Sequence, residues 1–204
     1  QQTMRVTYFF RKPLAFYHSI EELFTVIQKH LPDNIHFRNY AVQRESTDLQ
    51  SLYENAREVR RYQGDVNHIT GDIHYVALFL DKRKTILTIH DLVPLTRGPF
   101  YKRRLIKFLW YDLPVRRVRF VTVISEFTRQ ELLKKVNLPA RKIKVIPNTV
   151  SPDFSFSPKL FNKNKPLLLQ IGTKPNKNLK RVVEAISGMH CHLLIIGKLS
   201  DRQR

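Results

Sequence analysis

The stretch RFVTVISEFTRQELLKKV, residues 119–136, decides how this chain is read. Its opening run, Phe120 to Ile124, is apolar or β-branched at every position. That is expected of a strand buried on both faces, not of one that alternates between core and water. Ser125 follows, a residue whose hydroxyl can accept a free N–H in the first turn of a helix predicted over 127–136. A doubly buried strand that runs into a capped helix is half of a βαβ unit, the connection that sets neighbouring strands parallel.

The same rhythm extends in both directions. Strands are predicted at 4–10, 35–40, 65–70, 85–90, 119–124 and 142–146. Between them lie helices at 20–30, behind Ser19 and with Glu22 completing a capping box, and near 48–61, 74–80, 100–112 and 127–136. Residues 149–158 carry prolines and serines without a helical period and read as a linker. A new βαβ then begins, with strands at 166–172 and 191–197 around a helix at 178–187. The expected fold is α/β: a Rossmann-like parallel sheet over 4–148, then the first βαβ of a second Rossmann-like domain over 159–204.

Charge is the unusual bulk property. The 204 residues hold 36 Lys and Arg against 17 Asp and Glu, a net charge of +19. Eight of the cations lie between Arg97 and Arg119 with Asp112 alone opposing them, and seven between Lys159 and Arg181 with no acid. Such a field attracts phosphates, anionic lipid headgroups or nucleic acid. No RRM or helix-turn-helix pattern accompanies it, so nucleic acid is not the expected partner. The basic segment FYKRRLIKFLWYDLPVRRVR, 100–119, reads either as a membrane-surface helix or as a helix with a solvated basic face. The single Cys191 excludes an internal disulfide framework and fits a reducing compartment. The longest apolar runs, such as YVALFL at 75–80, fall far short of the roughly 20 residues that span a bilayer, and no secretory leader pattern is present.

Ligands of parallel sheets gather at the carboxyl ends of strands, where loops and free helix N–H groups converge. His90 and Asp91 end the strand TILTIH; the imidazole can donate to a hydroxyl or phosphate, and the carboxylate can fix its tautomer or accept sugar hydroxyls. A strand-end histidine satisfied by backbone groups is the competing reading. Gly71, beside Asp72 and His74, allows close approach of a ligand, and equally a plain tight turn. Ser125 is a helix cap or an anion contact. In GTKPNKN, 172–178, Gly172 leaves a strand, Lys174 and Lys177 sit in the loop and Asn178 opens the helix, so cations and free N–H groups coincide. The loop is neither a Walker A sequence nor a GxGxxG fingerprint, and a solvated basic loop is the alternative. His190 and His192 flank Cys191 but alternate along a strand, so no metal site is expected there.

HITGDIHYVALFL, KTILTIHDLVPL, VTVISEFTRQELLKK, KIKVIPNTVSPDF and LLLQIGTKPNKNLKRVVEAI, in this order, resemble bacterial family-four retaining glycosyltransferases of the GT-B fold. The resemblance implies a hexosyltransferase-like enzyme of polysaccharide biosynthesis. A sugar would pass from a nucleotide-sugar donor to a glycan or polyprenyl-diphosphate-linked acceptor with retention, without cofactor or metal. It places His90 and Asp91 at the transferred sugar, and Gly172, Thr173, Lys174, Lys177 and Asn178 at the donor diphosphate. His18 and Ser19 of the loop 12–19, with Gly71, Asp72 and Ser125, fall on the acceptor side. The chain departs from the family pattern in the bulky KPLAFYHSI after its first strand and in Asn176–Lys177, where Arg–Lys is common.

The family's acidic donor motif falls beyond Arg204, so the chain is expected to hold an acceptor domain and the start of a donor domain. So small a second sheet should pack on the first domain, pair with another copy, or be poorly ordered. Cytoplasmic location, with peripheral attachment to an anionic membrane, completes the expectation. The rival reading is a non-catalytic glycan- or anion-binding module derived from the acceptor domain.

Overall fold

The computed structural model describes residues 3–13, 19–45, 48–96, 98–150 and 154–203. Two compact units divide at 154/155, inside the stretch 149–158.

The first unit is built on β1 (Met4–Phe10), β2 (Ile35–Ala41), β3 (Val66–Ile69), β4 (Thr85–Ile89), β5 (Phe120–Val123) and β6 (Ile143–Val145). All pair in parallel, in the order β2-β1-β3-β4-β5-β6. Chain order reverses on either side of β1, so the crevice outside the carboxyl ends of β1 and β3 is the topological switch point.

Side-chain alternation in β1 explains why the sheet is covered on both faces. Val6, Tyr8 and Phe10 join Ile20 and Phe24 of α1 (Ser19–Lys29) in one cluster. Phe9 turns the other way, into the larger core with Ile69, Leu87, Ile89, Val121 and Val123. Val59 of α2 (Leu49–Val59) and Leu132 of α5 (Glu126–Lys135) close that core, both at 0 % exposure. Each such side chain contributes about 1.5–3 kcal/mol of burial.

Caps fix where the helices begin. Ser125 Oγ accepts the Thr128 N–H at 3.1 Å, and Asp48 Oδ1 accepts that of Ser51 at 2.8 Å. Ser19 is itself the first residue of α1 rather than the residue before it. The helix expected at 74–80 is a 3₁₀ helix, His74–Phe79, which advances about 2.0 Å per residue against about 1.5 Å for an α-helix and so stretches across a short link between β3 and β4.

The helix expected at 100–112 runs on to Arg117 through a wide turn. An α-helical stretch, α3 (Phe100–Ile106), passes into a π turn, Lys107–Asp112, and then into α4 (Leu113–Arg117). In the π turn the Leu113 N–H reaches back five residues, to the Phe108 carbonyl. Pro114 has no N–H to give to Trp110, four residues before it, so that carbonyl is open to a donor from elsewhere in the fold.

The second unit holds β7 (Leu167–Ile171), α6 (Leu179–Ala185) and β8 (His192–Ile196), with the two strands parallel and in register from Leu167↔His192 to Ile171↔Ile196. One side of this sheet, carrying Leu168, Gln170, Leu193 and Ile195, is half-buried. The other side presents Leu167, Leu169, Ile171, Leu194 and Ile196 to solvent. Among the described residues no helix is long and apolar enough to cross a membrane.

Candidate active site

Thr70 sets the geometry of the switch point. Its N–H and its hydroxyl both donate to the Phe9 carbonyl, at 3.0 and 2.9 Å, stitching the exit of β3 to β1. Its own carbonyl accepts His90 Nε2 at 2.7 Å. A carbonyl can only accept, so the proton sits on Nε2 and, in the neutral ring, Nδ1 carries the lone pair. The tautomer expected to depend on Asp91 is thus set by Thr70. The Asp91 carboxylate instead accepts the Val93 N–H at 2.9 Å, which turns the chain after β4.

Gly71 packs beneath the His90 ring. A Cβ at that position would stand 2.8 Å from His90 Cδ2, and the backbone there has φ +145°. Asp72 follows in the left-handed region, φ 56°, which its short side chain tolerates. Its carboxylate pairs with Arg11, the first residue after β1, and Arg11 also reaches Glu21 of α1 at 3.3 Å. The exits of β1 and β3 are therefore held together by charge as well as by the Thr70 bonds.

The wide turn of helix 100–117 supplies the facing wall. Trp110 Nε1 donates to the Asp72 carbonyl at 2.7 Å, and Tyr111 Oη to that of Asp91 at 3.2 Å. The Trp110 carbonyl left open by Pro114 accepts His74 Nδ1 at 2.8 Å. Burial lowers the His74 imidazole to about 4, so at neutral pH it is uncharged, with Nδ1–H committed to Trp110 and Nε2 bare. Burial raises the Tyr111 phenol, which stays protonated and can make its bond to Asp91.

These groups line a cavity of about 570 Å³ with Asp72, His74, His90, Asp91, Trp110 and Tyr111 on its polar side and leucines 49, 52, 105 and 109 on its apolar side. The structure therefore brings together His90, Asp91 and Asp72, with Gly71 behind them. Ser125 does not line the cavity, because its hydroxyl is the α5 cap, and Ser19 stands exposed at the start of α1. His18 lies outside the described residues. Sequence reading did not single out Arg11, Trp110 or Tyr111 as site residues. The available signal was Pro114 four residues beyond the chain's one tryptophan, which marks a carbonyl that needs an outside donor.

The second unit carries the loop 172–178. Gly172 has φ +87°, and a Cβ there would meet Lys177 Cγ at 3.0 Å, so the lysine stem lies against the glycine. Gln170 Nε2 donates to the Gly172 and Lys177 carbonyls at 3.2 and 3.0 Å, which holds the loop closed. Thr173 Oγ1 donates to the Lys198 carbonyl at 2.6 Å, tying the exits of β7 and β8 together. Asn178 is left-handed, φ 55°, and its side chain makes no cap bond to α6. Lys177 has no ion-pair partner among the described residues, and no cluster of metal-ligating side chains occurs among them.

A six-stranded parallel sheet with a pocket outside the carboxyl ends of β3 and β4 matches the Rossmann-like N-terminal domain of a GT-B protein, and a second, smaller parallel sheet follows it. The chain belongs to Glycosyltransferase Family 4, whose family model matches residues 18–154. Among solved structures it is similar to the apo form of the lipopolysaccharide outer core galactosyltransferase WaaB, with a TM-score of 0.59 and 14% identity over 97% of this chain and 62% of that one. It is also similar to the glycotransferase of kitacinnamycin, with a TM-score of 0.54 and 13% identity over 100% of this chain and 68% of that one. The chain thus spans about three-fifths of the length of the first. No curated protein sequence matches it.

Proposed function

We propose that the chain takes part in transfer of a sugar from a nucleotide-sugar donor to a hydroxyl of a glycan or lipid-linked acceptor, with retention of anomeric configuration. The observation that carries this reading is the His90 ring, held by the Thr70 carbonyl and by Gly71 at the rim of a pocket that also presents Asp72, Asp91 and Trp110. Carboxylates accept hydroxyl groups, and an indole covers the apolar face of a sugar ring. Such a wall suits a hydroxyl-rich, uncharged part of the acceptor. The diphosphate is assigned to the loop 172–178, where Lys177 and backbone N–H groups meet the charge that grows on the leaving group. No metal or cofactor enters this scheme.

The test is transfer measured with panels of nucleotide-sugars and acceptors, the product linkage being read by NMR. His90→Ala is expected to lower kcat/KM by about 10²–10³-fold, the range for losing a group that acts in the transition state. A kcat/KM equal to the parent's would remove His90 from the site, and an inverted product would remove retention. The exposed apolar side of the β7–β8 sheet favours a second reading, a binding-only module whose second unit is not built for turnover. Glycan binding without consumption of any donor would select it.

A further inference from the structure

The pocket of the first unit departs from the charge of the chain around it. In a protein of net charge +19, its lining among the described residues includes three carboxylates, Asp48, Asp72 and Asp91, and one cation, Lys102. Lys102 stands eight residues before Trp110, about 12 Å along the helix, at the far end of the face that carries Leu105 and Leu109. The hydrogen-bonding sense of the polar side is also one-sided. Trp110 Nε1 and Tyr111 Oη donate to the carbonyls of Asp72 and Asp91, and His90 Nε2 donates to that of Thr70. His74 Nδ1 donates to Trp110. What this side offers a ligand, among the described residues, is therefore a set of acceptors: carboxylates and the second nitrogens of two histidines. The His74 ring is the most firmly held of these groups. It is 4% exposed, stands edge-on to Tyr111 at 5.2 Å between ring centres, and keeps Nε2 bare at the cavity. A buried acceptor left so is destabilised until a donor reaches it.

We propose that the pocket selects its acceptor by the hydrogen bonds the acceptor donates, with His74 Nε2 as the specificity-determining group, so that it takes an uncharged sugar with free hydroxyls and rejects an acidic one. Carboxylates and a lone-pair nitrogen attract an O–H and repel the oxygens of a uronate or a phosphate. A methyl ether has no proton to give, so an O-methylated sugar would leave the buried nitrogen unpaired. The selection originates far from the pocket in sequence. Pro114 leaves the Trp110 carbonyl open, that carbonyl fixes the proton on Nδ1, and Nε2 is thereby set to accept. The inference rests on reading this pocket as the acceptor site. It fails separately from sugar transfer, because binding is read with no donor present.

NMR titration of the nitrogen-15-labelled chain with hexyl β-D-glucopyranoside and hexyl β-D-galactopyranoside, whose alkyl chain suits the leucine side, tests it. The comparison ligands are hexyl β-D-glucuronide and the fully O-methylated hexyl glycosides. At least one free-hydroxyl glycoside is expected to bind about tenfold or more tightly than the glucuronide and its own O-methylated form. The His74 Nε2 resonance should lie in the unprotonated range and move toward the protonated one only when a free-hydroxyl glycoside binds. His74→Asn keeps an amide N–H in place of Nδ1–H but removes the acceptor. It should weaken the free-hydroxyl glycoside about tenfold and leave the O-methylated one unchanged, and His74→Gln, whose amide oxygen reaches the Nε2 position, should restore part of the loss. If His74→Asn does not fold, the parent's His74 resonance decides. The proposal would be overturned by a glucuronide or O-methylated glycoside held as tightly, by no binding of either free-hydroxyl glycoside, or by an Nε2 resonance unmoved at saturation. An equal loss for both ligand classes in folded His74→Asn, the mark of a structural role alone, would also overturn it.

Discussion

The two sheets use the same strand vocabulary and reach opposite states. Leu87 and Leu169 both sit in apolar parallel strands, yet Leu87 is 0% exposed and Leu169 is 58% exposed. Among the described residues, the first sheet has six strands with helices on both faces; the second has two strands and one α-helix. An apolar run therefore specifies a strand, whereas its burial is supplied by the layers that other segments bring.

Core truncation should break the symmetry most sharply. Leu132→Ala, in the first unit, is expected to cost about 2–5 kcal/mol in urea unfolding. Leu169→Ser, in the second, should cost under about 0.5 kcal/mol, as at other exposed positions. A large loss for Leu169→Ser would mean that its side chain is covered in solution.

The glycines that open the two loops sharpen the comparison. Gly71→Ala must displace a ring anchored on Thr70 and adopt φ +145°, for about 2–4 kcal/mol and a loss of pocket binding. Gly172→Ala meets the middle of a flexible lysine and should cost about 1–2 kcal/mol, chiefly from its positive φ. Equal losses would show the Lys177 stem to be as fixed as the His90 ring.

Acid should act on the first unit through His74. Its native value near 4 lies below the unfolded value of about 6.5, so between these pH values the unfolded chain binds a proton that the native chain does not. The stability of the neutral, buried ring is fully present above about pH 6.5 and declines as pH falls toward 4, by up to about 1.4 kcal/mol per pH unit. His68, also lowered to about 4, by burial and then by His90, acts in the same direction. Urea midpoints between pH 7.5 and 4.5 should fall less steeply in His74→Gln than in the parent, and parallel slopes would remove His74 as a source.

The smallest contrast is at the caps. Ser125→Ala loses the bond to Thr128 and should cost about 1 kcal/mol, whereas Asn178→Gly relaxes a left-handed residue without a cap bond and should change stability by a few tenths of a kcal/mol. Thermal unfolding followed by far-UV circular dichroism would register both.

Much of the fold was legible because it rests on local periodicity. FVTVI, the Ser125 cap and the GTKPNKN loop each announce their element within ten residues. Around the cavity, the strand-end rule pointed to His90, Asp91 and Asp72, which line it. It could not show that Ser125 would spend its hydroxyl on α5, nor that Asp91 would turn its own chain. Arg11, Trp110 and Tyr111 escaped notice because their partners lie 10 to 61 residues away. No window of ten residues contains both ends of those bonds.

By itself the sequence determined the order of strands and helices, the parallel α/β class and the positions of the loops that leave the strands, because backbone propensity, side-chain alternation and capping act over a few residues. Only the tertiary structure decided which side chains share a pocket. The tautomer of His90, the uncharged state of His74 and the use of the carbonyl freed by Pro114 each depend on a group brought from a distant segment. Whether an apolar strand ends as core or as open surface is decided in the same way, by what the rest of the fold lays upon it.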